Sequence, residues 1–593
     1  MYGMLFRFVS EYYERLENVA SRLAMIDILS EMFSKTSDSE IKSLVYFTQG
    51  VLAPSFDGIE TGMAEKTAVA AIALATGFES KSVEAEFRKS GDLGKAAEDL
   101  SGRTRLKGIS QRKLSITDVF EIMHKIAGTA GQGSKDAKLK MFAGMLAGTS
   151  PLEARYITRF ALGKLRLGLG DATILEALAK AKTGNRDTKP MLERAYNLCS
   201  DLGKVADVLY SKGMHGIDNF KAEPFSPIRP ELAERVNTFE EILEKMNGRC
   251  YAESKYDGLR MQVHLDKKAG RVEIFSRNLE RLTDMFPDIT AAALNEIDAD
   301  SAILEGEAIS YNDESGEFHS FQETIQRKRK HDVQAAAEQF PIRLFSFDLM
   351  YLNGASYMEK SYSKRRSALE SVLIKRDTIR STDRIMAVSA KELEKYFDNA
   401  ISSGLEGIVA KDPDSEYIAG ARKFSWIKMK RSYKAELSDT VDLVVIGYYA
   451  GKGQRTEFGF GGVLAAVYND DKDTFESITR IGTGFTEEQM VFFRKNLEKS
   501  KCKTKPVRVE SMLVPDVWVE PLHVIEVRAD EITRSPMHMC GKSDYESQDE
   551  PGYALRFPRI VGKGFRDKGP ESATTTSEIT EMFRLQKKQK IED

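Results

Sequence analysis

The spacing of apolar residues changes twice along the chain. From Tyr2 to about Asp218, segments such as 11–33 and 64–76 place apolar residues at i, i+3 and i+4, which predicts amphipathic helices. The stretch PFSPIRPELAERV, 224–236, holds three prolines and reads as a linker. From about Arg249 the period becomes two. Leu259, Met261, Val263 and Leu265 alternate with Arg260, Gln262 and His264, predicting a half-buried strand. Strand-like runs recur at 303–309 and 426–430, with a helical stretch at 391–402 between them. A third region opens at Asp442 with DLVVIGYY, the glycine-rich GKGQRTEFGFGG and the run VLAAVY. Short strands and glycine turns of this kind predict a small β-barrel. The tail, 583–593, reads as a charged, solvated helix.

Composition narrows the class. The 593 residues suggest about three to four domains. Hydrophobic residues make up 41% and charged residues 30%, an ordinary soluble balance. Cys199, Cys250, Cys502 and Cys540 form no C-x-x-C pair, which argues against a zinc ribbon or a disulfide framework. The longest apolar stretch, 68–75, is too short to span a bilayer, and the N-terminus soon turns charged, unlike a signal peptide. A net charge of −3 argues against indiscriminate polyanion binding and leaves room for a local basic groove. What remains is a cytosolic, multidomain enzyme.

The sharpest local signal is ESKYDGLR, 253–260. Strand alternation puts Glu253, Lys255 and Asp257 on one face, with Asp257-Gly258 as a turn. Taken alone it reads equally well as a charged surface hairpin. Further charges lie inside apolar strands: Glu305 and Glu307 in ILEGEAI, Glu406 and Lys411 in EGIVAKD, Lys428 and Lys430 in WIKMK. Buried charges are costly unless they meet partners, and these would suit a cleft holding a polyphosphate and a divalent ion.

KYDGLR resembles the K-x-D-G-x-R nucleophile motif of the covalent nucleotidyltransferases: DNA ligases, RNA ligases and mRNA capping enzymes. The motifs FSRN, LEGEA, FSFDLMYLNG, EGIVAKD and WIKMKRSY follow in that family's order over about 180 residues. GYALRFPRI and RDKGPESATT resemble the C-terminal motif of the archaeal and eukaryal type ATP-dependent DNA ligases. The segment RFALGKLRLGLGDATILEALA resembles their DNA-binding domain. The resemblance implies a multidomain α+β protein in three parts. These are an all-α DNA-binding domain at 1–222, a mixed α/β adenylylation domain at 223–436 and a C-terminal OB-fold β-barrel at 437–593.

It also implies the chemistry. Lys255 would take AMP from ATP and pass it to the 5′-phosphate of a nick, and the 3′-hydroxyl would then displace AMP. A lysine is almost wholly protonated at neutral pH. Arg260, Lys428 and Lys430 are the cations expected to favour its neutral amine and to hold phosphate oxygens. Glu307 and Glu406 match carboxylates associated with Mg²⁺. Glu253 matches an adenine contact, Arg277 and Arg422 match phosphate or ribose contacts, and Phe347 matches the aromatic that stacks on the base. Glu305 departs from the Asp of the commoner D-G-E version. Arg556, Arg559, Asp567 and Lys568 match the motif that orients the pyrophosphate. DNA backbone contacts are expected from Arg103, Arg105 and Lys107, from Arg155, Arg159, Lys164 and Arg166 beside glycine turns, and from RKRKH at 327–331.

The implied partners are ATP, a divalent cation and nicked duplex DNA. The protein is expected to be a cytoplasmic monomer, nucleoid-associated in a prokaryote. A sliding clamp stays open, since 101–117 carries no clear clamp-binding box. An RNA ligase or a capping guanylyltransferase is the alternative reading. The long helical N-terminal region and RDKGPESATT favour DNA ligase.

Overall fold

The protein is described here from a computed structural model covering residues 3–104, 113–165, 167–311, 318, 324–329, 332–374, 377–403, 405–430, 440–451, 458–482, 484–529, 531–545, 550–556, 558–562 and 564–589. Helices fill the chain up to Asp218. The run at 11–33 is two helices, Phe6–Glu17 and Arg22–Ser34. Ser21 starts the second by accepting from the Ala24 N–H, a side-chain cap that favours a fresh helix start. Their apolar faces share a core with Phe47, Tyr156, Leu178 and Leu209. That core continues into the next region, through Ile303, Met350, Met358, Tyr417 and Trp426. Among the described residues, no helix is long and apolar enough to cross a membrane.

The central strands are β1 (Leu232–Arg235), β2 (Cys250–Lys255), β3 (Leu259–Asp266), β4 (Arg271–Ser276), β5 (Ser301–Ser310), β6 (Ile342–Leu352), β7 (Ala355–Ser356), β8 (Ile379–Ser381), β9 (Arg384–Ala387), β10 (Gly407–Lys411) and β11 (Arg422–Lys430). They form two sheets. One runs β1-β11-β10-β2-β9, and the other runs β4-β3-β5-β6-β7 with β8 beside β6.

Three expectations change here. The segment 224–236 is no free linker, because its last residues form β1, parallel to β11. Its earlier backbone caps the supposedly wet side of β3. Phe225 N–H donates to His264 Nδ1 at 2.9 Å and Ile228 N–H to Gln262 Oε1 at 3.0 Å. Strand β3 is therefore buried on both faces rather than half-buried, with Gln262 and His264 only 3% and 0% exposed. KYDG is not a hairpin either. Strand β2 pairs with β10 and β9, whereas β3 pairs with β4 and β5. Residues 256–258 cross from one sheet to the other.

The C-terminal region is a β domain. Strands β12 (Thr440–Tyr449), β13 (Gly462–Asn469) and β14 (Thr474–Ile481) run antiparallel, with Val517–Arg528 on the other side of β12. Among the described residues the seven-stranded pairing is an open path, and Glu531–Ser535 pairs separately with Gly552–Arg556. The final helix starts at Thr576, not 583, and is not simply solvated. Ile579 is fully buried, and Met582 and Phe583 pack on the C-terminal core.

This domain also rests on the helical one. Asp473, at φ 54°, accepts from Thr173 Oγ1 at 3.2 Å, from Tyr468 Oη at 3.0 Å and from Arg508 at 2.5 Å. A Cβ at Gly170 would overlap the Asp473 carboxylate, and one at Gly168 would overlap Val507. The close approach requires glycine.

Candidate active site

Lys255 ends β2, where the chain leaves one sheet for the other. Tyr256 anchors the crossover by stacking on Phe345, ring centroids 4.1 Å apart. Gly258 is there because a Cβ would collide with the Ala308 carbonyl of β5. Gly407 lies opposite both Lys255 and Lys430 across β10. That register sets the neighbouring Glu406 between the two ammonium groups, and it is ion-paired to both.

The electrostatics follow from this placement. Burial opposes ionisation of Glu406, but Lys255 and Lys430 hold it down at about 2. Burial alone would lower the Lys255 pKa, yet Glu406 and Glu307 carry it above its usual value. This corrects the expected activation. Carboxylates, not cations, are the nearest charges, so the ammonium form is favoured without ATP. Arg260 cannot supply the missing cation freely, since Glu305 takes it in a bidentate pair at 2.7 and 2.9 Å. Glu307 lies opposite Arg260 and Phe345. Burial pushes it up to about 7, against the pull of Lys255 and Arg260. It makes no ion pair or hydrogen bond among the described residues.

A floor of aromatic rings lies beside these charges. Phe347 meets Trp426 edge-on at 5.7 Å, with Arg260 5.4 Å from its centroid. Lys411 Nζ sits 4.1 Å from the Trp426 ring and ion-pairs Glu253 at 2.9 Å. The Glu253 side chain is fully engaged, accepting also from Tyr362 Oη and Arg366.

Toward the C-terminal domain the excess charge is positive. Burial lowers Arg277 to about 10, helped by Arg260 and Arg422. Lys428 is driven well below its usual value by burial. Neither has an ion-pair partner among the described residues. Arg422 is ion-paired to Glu578 of the last helix, a partner no sequence signal pointed to. Lys568 is paired to Asp442, which also holds Arg566 at 3.3 Å; burial lowers Lys568 to about 8. Asp567 meets Lys328 at 3.1 Å, and Gly569 N–H donates to Asn278 at 3.3 Å. The RDKG turn is thus docked on FSRN. Arg566 was missed as a site residue although it opens RDKGPESATT, and its charge reaches Asp257. Arg556 and Arg559 lie exposed on other strands, opposite Glu531 and Arg528.

The expected DNA contacts divide. Arg155 and Arg159 are 9% and 5% exposed and turn inward. Both pair with Glu17, and Arg159 also with Asp92 at 2.6 Å, so the basic surface patch they were read as does not exist. Arg327 is likewise buried against Asp288 at 2.8 Å. Lys164 and Arg103 stay near the surface, paired with Glu65 at 2.8 Å and Glu86 at 2.9 Å. Arg105, Lys107 and Arg166 lie outside the described residues.

A helical region, a mixed region carrying a half-buried lysine–carboxylate cleft and a β region docked beside it are the layout of a multidomain enzyme. The comparisons sharpen this. Family models described as "DNA ligase N terminus", "ATP dependent DNA ligase domain" and "ATP dependent DNA ligase C terminal region" match residues 5–179, 230–430 and 456–568. A probable DNA ligase of Dictyoglomus turgidum is 44% identical, over 100% of this chain and 99% of the relative. A DNA ligase of Saccharolobus solfataricus is 41% identical, over 99% of each. The chain belongs to the ATP-dependent DNA ligases, enzymes that join DNA strands at the expense of ATP.

Proposed function

We propose that Lys255 is the nucleophile and that the substrate is a nick in duplex DNA. The observation that carries this is the lysine at the sheet crossover, held by Glu406 in a cleft whose other wall bears Glu307. Lys255 Nζ forms a bond to the α-phosphorus of ATP, and pyrophosphate leaves. The AMP moves to the nick's 5′-phosphate, and the 3′-hydroxyl displaces it. Arg277, Lys428, Lys430 and Lys568 supply positive charge for the phosphates, and Phe347 offers its ring to the base. Losing the Glu406 charge from Nζ frees the amine, so the ion pair keeps Lys255 quiet until substrate arrives.

Among the described residues no three His, Cys, Asp or Glu side chains gather into a metal site. Two carboxylates still suffice for Mg²⁺, which takes its other ligands from phosphates and water. Glu307, with no hydrogen bond of its own among the described residues, and Glu406 are the residues that would hold it. Bound there, a divalent cation neutralises phosphate charge during transfer.

Residues 1–222 serve DNA binding in this reading, 223–436 adenylylation, and 437–593 form an OB-fold domain carrying Arg566 and Lys568. Lys164 and Arg103 remain surface candidates for the DNA backbone. The test is incubation with ATP labelled at the α-phosphate, followed by mass spectrometry and nick sealing with and without Mg²⁺. Label on Lys255 and metal-dependent sealing are expected. Label on another lysine, or on RNA ends alone, would overturn the reading.

A further inference from the structure

The Arg260 guanidinium of the nucleotide cleft is fixed by a side chain that is itself fixed. Glu305, 1% exposed, takes Arg260 Nε and Nη2. Its Oε2 also accepts from Tyr417 Oη at 2.8 Å. Tyr417 Oη in turn accepts from the Glu231 N–H at 3.0 Å, and Glu231 accepts from Ile418 N–H and Ser425 Oγ. The Tyr417 ring meets Trp426 edge-on at 5.8 Å.

We propose that Tyr417 is a positioning residue for ATP: by holding Glu305 it fixes the Arg260 guanidinium beside Phe347. This rests on the proposed reading of the cleft as the ATP site. Glu305 is too buried for water to replace a lost donor, so a carboxylate without the Tyr417 hydroxyl must rotate or share Arg260 differently. Burial and the Glu305 charge raise the Tyr417 pKa, so the hydroxyl keeps its proton and donates. The chain also explains Glu at 305 where the commoner motif has Asp. A shorter side chain could not meet Arg260 twice and reach Tyr417 from the same strand position.

The experiment is Tyr417→Phe in the full chain, which keeps the ring against Trp426. The readout is the rate of Lys255 adenylylation across ATP concentrations, with the thermal midpoint measured alongside. KM for ATP should rise about ten-fold, the loss of one hydrogen bond to a charged group, while the saturated rate changes little. In an Arg260→Lys chain, where a point charge replaces the bidentate fork, adding Tyr417→Phe should raise KM less than about two-fold. An unchanged KM overturns the proposal, as does a fall in rate and midpoint at constant KM, which marks a merely structural role. Equal factors in both backgrounds overturn it too. Wild-type chain that takes no label at Lys255 sinks the reading of the cleft instead, and is told apart by that control.

Discussion

The cleft at Lys255 and the arginine cluster at Arg155 and Arg159 look alike in the sequence, each a set of charges inside an apolar pattern. In the helical region these two buried arginines have their answer. Arg155 and Arg159 are met by Glu17, Asp92 and Glu98. In the cleft the sums do not close. Among the described residues Glu307, Arg277 and Lys428 have no ion-pair partner, and two lysines share Glu406. Buried pairs hold a fold together only when both members are present. Unanswered charges in a cleft are instead poised for a charged ligand. Spacing alone does not separate the two; the count of partners does.

The comparison breaks most sharply at Lys255. Lys255→Ala should abolish enzyme adenylylation and sealing while the chain stays folded, checked by intact mass and thermal melting. Retained label would remove the cleft's special status.

Arg159→Ala should act in the opposite sense, leaving the half-buried Asp92 without its cation and Glu17 with Arg155 alone. The expected cost is about 3–5 kcal/mol of stability, read by denaturant unfolding. If stability held and nick binding lost one unit of its salt slope, Arg159 would be a DNA contact after all.

Glu231 offers a pH test of a buried acid held by hydrogen bonds rather than by an ion pair. Burial raises it from 4.5 to about 7, with Asp348 pushing up and Arg365 pulling down. Below pH 4.5 it is protonated in folded and unfolded chains alike. Between 4.5 and about 7 only the unfolded chain ionises, so folding loses stability as pH rises. Glu231→Gln escapes this loss. Its stability advantage should open across that window to about 3 kcal/mol and stay level above it. An advantage that is the same at pH 4 and pH 8 would refute the assignment.

Lys428→Met should give the smallest and most telling effect. Removing a half-buried cation with no ion-pair partner among the described residues should raise stability by about 1 kcal/mol while KM for ATP rises about ten-fold. A loss of both would place Lys428 with the arginine cluster.

Much of this was legible before any coordinates. The period change marked the helical, mixed and β regions, and the motif order picked out Lys255, Glu307, Glu406, Lys428 and Lys430. What escaped was always a partner far along the chain. Arg155 meets Glu17 across 138 residues, and Arg422 meets Glu578 on the last helix. Local turn chemistry at Asp257-Gly258 favoured a hairpin, but β10, some 150 residues on, pairs with β2 instead. Long-range register is decided by burial, which no local spacing encodes. The same holds for the proline-rich stretch 224–236, where the N–H groups of Phe225 and Ile228 donate to His264 and Gln262.

The seat of Asp473 on Gly170 and Thr173 has a consequence for timing. The turn at 168–170 is covered by the C-terminal domain, with Val507 above Gly168 and a carboxylate where the helix Asp171–Thr183 begins. A carboxylate and a backbone phosphate cannot share one place, so a strand lying along that turn excludes the seated domain, and the seated domain excludes the strand. Were a duplex backbone to bind at this turn, as the proposed reading has it, charging the lysine with the RDKG turn docked and gripping that duplex would be successive states of one molecule, with Asp473 marking the earlier.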